Sequence, residues 1–244
     1  MTAIFFDIDD TLYSRRDLLL EAAVETSSGE ILPEERFMKV FYEKSDINFP
    51  LVENGTITAF ESNFWRYEET LKELCIPYSP GDGKKFAERY TYLQEHIRLS
   101  GKMISMFDEL KKIKSFVPCI LSNGESEHQW KKYNELGLSR WIDRRHVTIS
   151  GDYAISKPDK RIFEIAAKNA GPLCNEIWIA GDSYKHDIEG AKNALWNTLW
   201  FNRGSKTVYA PAADITVSDE ESFCSACIEI ADSNNRSYLS EYVK

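Results

Sequence analysis

Phe5-Phe6-Asp7-Ile8-Asp9-Asp10-Thr11-Leu12 is the stretch on which the fold of this 244-residue chain turns. Ala3 to Phe6 is a short, unbroken apolar run, and two carboxylates follow it within three residues. An unbroken run suits a strand covered on both faces, whereas a strand wet on one face alternates. Five more short runs follow, and most of the six are continuously apolar: Phe116 to Leu121, His146 to Ile149, Glu176 to Ala180, Thr198 to Phe201 and Ile215 to Val217. Helical patterns separate several of them. Met103, Phe107, Leu110 and Ile113 mark one, and Trp130, Tyr133 and Leu136 a second that Gly137 stops. Ile162, Ile165 and Ala166 mark a third, between Pro158 and Gly171. Strands alternating with helices predict right-handed crossovers and a mostly parallel sheet, the α/β class.

One interval breaks the spacing. More than a hundred residues lie between the first two strands, far beyond one crossover. Within it, Phe37, Val40, Phe41 and Lys44 keep helical spacing, as do Phe60, Phe64, Tyr67, Leu71 and Leu74, then Phe86, Tyr90, Leu93 and Ile97. The expected organisation is an α/β core over 1–14 and 99–232, a helical insert over 15–98, and a polar, frayed tail over 233–244. Ser218-Asp219-Glu220-Glu221 reads as a capping box opening the last core helix.

An open parallel sheet gathers function at the carboxyl ends of its strands. Asp7 and Asp9 follow the first strand, Ser122 and Asn123 the second, and Asp182 and Asp187 the fourth, while Lys157 precedes a helix that opens at Pro158-Asp159. Any one of these acids reads alone as a helix cap. Four acids, a hydroxyl and a lysine arriving at one sheet edge are a different matter. Clustered carboxylates repel unless a cation lies among them, and an all-oxygen set suits a hard ion such as magnesium. A cation beside a lysine and a hydroxyl is in turn a place for a phosphoryl group. The chemistry these residues support is metal-assisted phosphoryl transfer.

Asp7-x-Asp9-x-Thr11, Ser122, Lys157-Pro158 and Gly181-Asp182-x-x-x-x-Asp187 resemble, in order, the four motifs of the haloacid dehalogenase-like (HAD) hydrolase superfamily. The resemblance implies a Rossmann-like parallel core with an all-helical type 1 cap, and a magnesium-dependent phosphatase working through an aspartyl-phosphate. It makes Asp7 the nucleophile, Asp9 the general acid and then base, and Lys157 a catalytic cation that also binds the phosphoryl group. Thr11, Ser122 and Asn123 fall at substrate-binding positions, with Thr11 holding the turn after the strand. The metal set becomes Asp7, the Asp9 carbonyl, Asp182 and, through water, Asp187. The cap would close over the site and carry specificity, with Tyr13 and Arg15 at the hinge. Asp9 separates this chain from the dehalogenase branch, which has no acid there, because a phosphate ester's alkoxide must be protonated as it leaves. Asn54-Gly55-Thr56-Ile57-Thr58 and Lys160-Arg161-Ile162-Phe163-Glu164 are similar to pyrimidine nucleotide 5′-nucleotidases, which makes a nucleoside monophosphate a candidate substrate.

Composition removes other classes. Lysine and arginine total 30 against 39 acidic residues, a net charge of −9, which argues against a nucleic-acid polymer as partner. The first residues carry no basic region ahead of a long apolar stretch, and no run elsewhere approaches a membrane span. Five scattered cysteines fit a reducing compartment, so the expectation is a cytoplasmic enzyme, monomer or homodimer, acting on a small phosphorylated metabolite. Cys224-x-x-Cys227 reads as two small apolar positions on one helix face, the four histidines lack ligand spacing, and Trp130, Trp141, Trp178, Trp196 and Trp200 read as core. A phosphomutase or dehalogenase of the same fold, and a non-catalytic phospho-accepting switch, stay open as alternatives.

Overall fold

Strand β1, Thr2–Phe6, is buried along its whole length, as its unbroken apolar run requires. In the computed structural model, which describes residues 1–27, 33–53, 55–203 and 213–232, it lies inside a six-stranded sheet. The other strands are β2 (Phe116–Ser122), β3 (Val147–Ile149), β4 (Glu176–Gly181), β5 (Asn197–Phe201) and β6 (Ile215–Val217). The sheet order is β3-β2-β1-β4-β5-β6 and every neighbouring pair is parallel. From β1 the chain goes to β2 on one side and returns to β4 on the other. That reversal leaves a crevice at the carboxyl ends of β1 and β4, where such sheets place ligands. The α/β parallel class expected from the sequence is the observed one.

The chain divides into two units. One comprises Met1–Tyr13 and the chain from Arg98 onward, and the other spans Ser14–Ile97. The second unit holds helices α1 (Arg15–Thr26), α2 (Glu34–Glu53), α3 (Ala59–Glu73) and α4 (Asp82–Glu95). Their apolar faces meet in a core of Leu19, Ala22, Phe37, Phe41, Tyr67, Leu71, Phe86 and Tyr90, in which the Tyr67 and Phe86 rings stack with centroids 4.3 Å apart. Helix α3 starts on a reciprocal cap: Thr58 Oγ1 accepts from the Glu61 amide, and Glu61 accepts from the Thr58 amide. Of the Asn54–Thr58 stretch, Asn54 lies outside the described residues, as does the expected tail over 233–244.

The first unit adds α5 (Gly101–Leu110), α6 (Ser126–Glu135), α7 (Ser150–Tyr153), α8 (Lys160–Ala170), α9 (Gly190–Asn193) and α10 (Glu220–Ala231) around the sheet. Phe163, Ile162 and Ala166 of α8 pack on Phe5, Cys119 and Ile179 at one sheet face. Three local expectations need correction. Helix α10 is capped by Asp219, one residue after the expected Ser218; the Asp219 carboxylate accepts from the Ser222 amide through Oδ1 and from the Ser222 hydroxyl through Oδ2, two bonds that a serine hydroxyl there could not both accept as well. His146 belongs to a 3₁₀ turn over Arg144–His146 that precedes β3. Trp130 and Trp141 are half-buried rather than core, each lying under an arginine, Arg144 over Trp130 at 4.2 Å and Arg140 over Trp141 at 4.3 Å. Cys224 and Cys227 are both buried on α10 as free thiols. No described helix is long and apolar enough to cross a membrane.

Candidate active site

β1 delivers Asp7 at its carboxyl end, where the Asp7 amide extends the ladder by donating to the Ala180 carbonyl at 3.0 Å. The turn that follows is tied down at several points. The Leu12 amide donates to the Ile8 carbonyl, and Asp10 adopts a left-handed conformation with φ 59°, which aspartate tolerates better than most side chains. Thr11, fully buried, donates its hydroxyl to Asp7 Oδ2 at 3.5 Å. Arg203, just past β5, donates to the carbonyls of Asp10 at 2.9 Å and Thr11 at 3.1 Å.

Lys157 arrives from the segment before α8, which opens on Asp159 as its cap. Its amine, 3% exposed as a residue, is enclosed by oxygen: it donates to Asp7 Oδ1 at 2.7 Å, Asp187 Oδ1 at 2.6 Å and the Leu121 carbonyl at 2.9 Å. Asn123 serves this lysine. Its Nδ2 donates to the Lys157 carbonyl at 3.0 Å and its Oδ1 accepts from the Lys157 amide at 2.8 Å. Both ends of that amide are therefore engaged on the Lys157 backbone.

β4 supplies Asp182, followed by a π-helical turn over Tyr184–Glu189 that carries Asp187 back toward β1. The Ser183 amide donates to Asp187 Oδ2 at 2.9 Å, so that both Asp187 oxygens are engaged. Gly181 permits the approach. A Cβ there would lie 2.4 Å from Asp187 Oδ2 and 2.5 Å from its carboxyl carbon. Gly181→Ala should therefore displace Asp187 and cost about 1–3 kcal/mol of stability, as overpacking does; urea unfolding of the purified variant checks it, with an unchanged midpoint as the contrary result.

Carboxylate oxygens of Asp7, Asp182 and Asp187 lie within 4.8 Å of one another. Burial pushes the Asp7 carboxyl up; Lys157 pulls it down, Asp187 and Asp9 add to the rise, and the result is about 7. Burial also works against the charge of Lys157, but Asp187 and Asp7 outweigh it and hold its pKa above that of an ordinary lysine. Asp7 and Asp187 thus share one buried ammonium, with the half-buried Asp182 close beside them, and carboxylates crowded in this way are costly unless a cation joins them. The donor set is all oxygen, which fits a hard divalent ion.

Asp9 lies apart from that cluster's lysine. Burial raises its pKa, but Lys132, with Tyr13 and Gln129, more than offsets this and holds the carboxyl below its ordinary value. Lys132 Nζ donates to both Asp9 oxygens at 2.7 Å, Gln129 Nε2 donates to Oδ2 at 3.1 Å, and the Tyr13 hydroxyl makes a short bond to Oδ1. Ser122, fully buried at the end of β2, donates to Gln129 Oε1 at 3.1 Å. Gln129, Lys132 and Arg203 were not singled out in the sequence. A usable signal existed only for Gln129, a polar residue one helical turn before the core residue Tyr133 and on its face of α6.

The family model for haloacid dehalogenase-like hydrolases matches residues 1–194. Among curated proteins, the chain is 29% identical to a glyceraldehyde 3-phosphate phosphatase of Pyrococcus furiosus, over 82% of this chain and 80% of that one. It is 27% identical to the pyrimidine 5′-nucleotidase YjjG of Escherichia coli (82% and 85% covered) and 27% identical to the N-acylneuraminate-9-phosphatase of Homo sapiens (82% of each). Among solved structures, the magnesium-bound YfnB protein of Bacillus subtilis shares the fold with a TM-score of 0.61 at 23% identity, covering 95% of this chain and 98% of that one. With the motif residues meeting at one sheet edge and the family model spanning most of its length, the chain belongs to the haloacid dehalogenase-like hydrolase family.

Proposed function

We propose that this phosphoric monoester hydrolase acts on a small phosphorylated metabolite through an aspartyl-phosphate on Asp7, with magnesium held by Asp7, the Asp9 carbonyl and Asp182. The observation that carries the reading is the cluster in which Lys157 joins Asp7 and Asp187 and the carboxylate oxygens of Asp7, Asp182 and Asp187 lie within 4.8 Å of one another. In the first step an Asp7 oxygen forms a bond to phosphorus, the bond from phosphorus to the ester oxygen breaks, and Asp9 gives that oxygen its proton. In the second, water attacks phosphorus, Asp9 takes a proton from it, and the bond from phosphorus to Asp7 breaks to release phosphate. Lys157 and Ser122 hold charge on the phosphoryl oxygens, Asn123 holds Lys157, and Asp187 fixes the lysine from the far side. The bound cation would neutralise charge on the phosphoryl group as it is transferred. An acid at position 9 supports ester hydrolysis over carbon–halogen cleavage, and speeds loss of a phosphate that a signalling switch would keep.

The test is hydrolysis of 4-nitrophenyl phosphate with magnesium and with a chelator. Turnover should require the metal and return when it is restored; equal rates in both conditions would sink the proposal. The relatives are by name a glyceraldehyde 3-phosphate phosphatase, a pyrimidine 5′-nucleotidase and an N-acylneuraminate-9-phosphatase, which supports a small phosphomonoester as the substrate class. The nucleotide reading adds the similarity of Lys160–Glu164 to nucleotidases, and a panel of nucleoside monophosphates against sugar phosphates decides it.

Magnesium should also stabilise the fold in a pH-dependent way. The Asp7 carboxyl rises from 3.8 to about 7, so the stability it contributes is present below the lower value and is lost as pH rises through the upper one. Metal needs the ionised ligand. The rise in Tm on adding magnesium should therefore be larger at about pH 8 than at about pH 5, and a larger rise at the lower pH would contradict the assignment of Asp7 as a ligand.

A further inference from the structure

Asp9 must move a proton in both steps proposed above, yet none of the motif residues holds its side chain. Helix α6 does. Its Lys132 spans both Asp9 oxygens at 2.7 Å, and its Gln129, 3% exposed, bonds Asp9 through Nε2 and Ser122 through Oε1. The backbone makes room for that bridge: a Cβ on Gly124 would lie 2.5 Å from Gln129 Nε2, and Gly124 has φ 146°, a conformation that favours glycine. Lys132 keeps a quarter of its side chain exposed, while Asp9 keeps 19%. The pair is thus partly screened, but the geometry is two-pronged and backed by an amide and a phenol.

We propose that Lys132 and Gln129 are positioning residues for the acid–base step, with Gln129 linking the phosphate-binding Ser122 to Asp9. The inference rests on the function proposed above. A serine hydroxyl has one proton to give. Here that proton goes to Gln129 Oε1, and a phosphoryl group that draws it away breaks the bond to Gln129. Gln129 is then left with Asp9 as its side-chain partner on this side, so binding at Ser122 is felt at the carboxyl that must protonate the leaving oxygen. Lys132 keeps the Asp9 carboxyl from turning away while this happens.

The test compares kcat/KM for an alkyl phosphate and for 4-nitrophenyl phosphate, in the parent, Lys132→Met, Lys132→Arg and Gln129→Met. This ratio counts steps only until the first leaving group departs. An alkoxide needs Asp9's proton and a nitrophenolate does not. Lys132→Met should lose at least about 10-fold more on the alkyl ester than on the aryl ester, since general acid catalysis contributes on the order of 10²–10⁴. Lys132→Arg should recover most of that difference, because it keeps the charge and a two-pronged donor. Gln129→Met should show the same selectivity to a smaller degree, and it decides the matter if Lys132→Met does not fold. Equal losses on both esters, no loss on either, or an arginine variant no better than methionine would overturn the inference. Asp7→Asn, run alongside, separates the two levels. If that variant is inactive while the Lys132 and Gln129 variants are unselective, only the positioning role falls; if it stays fully active, the proposed function falls and takes this role with it.

Discussion

Asp7→Asn should abolish turnover, with a fall on the order of 10⁴-fold or more, as expected when a nucleophile is removed from a set of groups that act together. The amide matches the carboxyl in shape but cannot form the acyl phosphate. The fold should survive. Lys157 would keep Asp187 at 2.6 Å and the Leu121 carbonyl at 2.9 Å, and one of three crowded carboxyls would lose its charge. Because burial already pushes the Asp7 carboxyl up to about 7, its neutral replacement resembles the form that the metal-free protein holds below that pH. A variant that is inactive, folded and weaker in magnesium binding, by calorimetry, is the expected set. Parent-like activity would remove Asp7 from the mechanism.

Lys157→Met should lose activity as well, but its distinguishing effect is on stability. The substitution keeps length and apolar volume and deletes the ammonium that faces Asp7 and Asp187, whose side chains are 9% and 1% exposed. Breaking a buried ion pair from one side costs about 3–5 kcal/mol, because the partner charge stays behind unpaired. Here two carboxylates are left, along with the Leu121 carbonyl. Urea unfolding without metal should show that loss, and magnesium should recover part of it by supplying the missing positive charge. A variant as stable as the parent in chelator would mean that the cluster does not carry the crowded charge argued above.

The fold and the cluster were legible because both are written in patterns that recur along the chain. The apolar runs at Ala3–Phe6 and Ile177–Ala180, short and bounded by turn residues, read as strands covered on both faces, and these two strands sit side by side at the centre of the sheet. The acids that follow them meet there because parallel strands end on the same edge. What stayed hidden was the support around them. Lys132 has no apolar neighbourhood to mark it, since a lysine on a helix ordinarily faces water. Its value comes from a turn 123 residues earlier in the chain. Trp130 marks the apolar face of α6 in the sequence pattern and masks Gln129; in the fold Gln129 and Tyr133 take the inside, and Trp130 is left beneath Arg144. Arg203 shows the same limit, since its targets are backbone carbonyls, which no sequence pattern labels. Asn123 was placed correctly at the strand end, yet its amide turned to the Lys157 backbone, a choice made by the loop geometry.

The central claim is the covalent intermediate on Asp7. The direct measurement is to quench the enzyme in acid during turnover of a phosphate ester with magnesium, reduce it with borohydride, and sequence the N-terminal peptide by mass spectrometry. An acyl phosphate at Asp7 is reduced to the alcohol, so the account predicts homoserine at position 7 in the quenched enzyme and aspartate there when substrate is omitted. Unmodified Asp7 throughout a turnover that is demonstrably under way, or the modification at Asp9 instead, would contradict it.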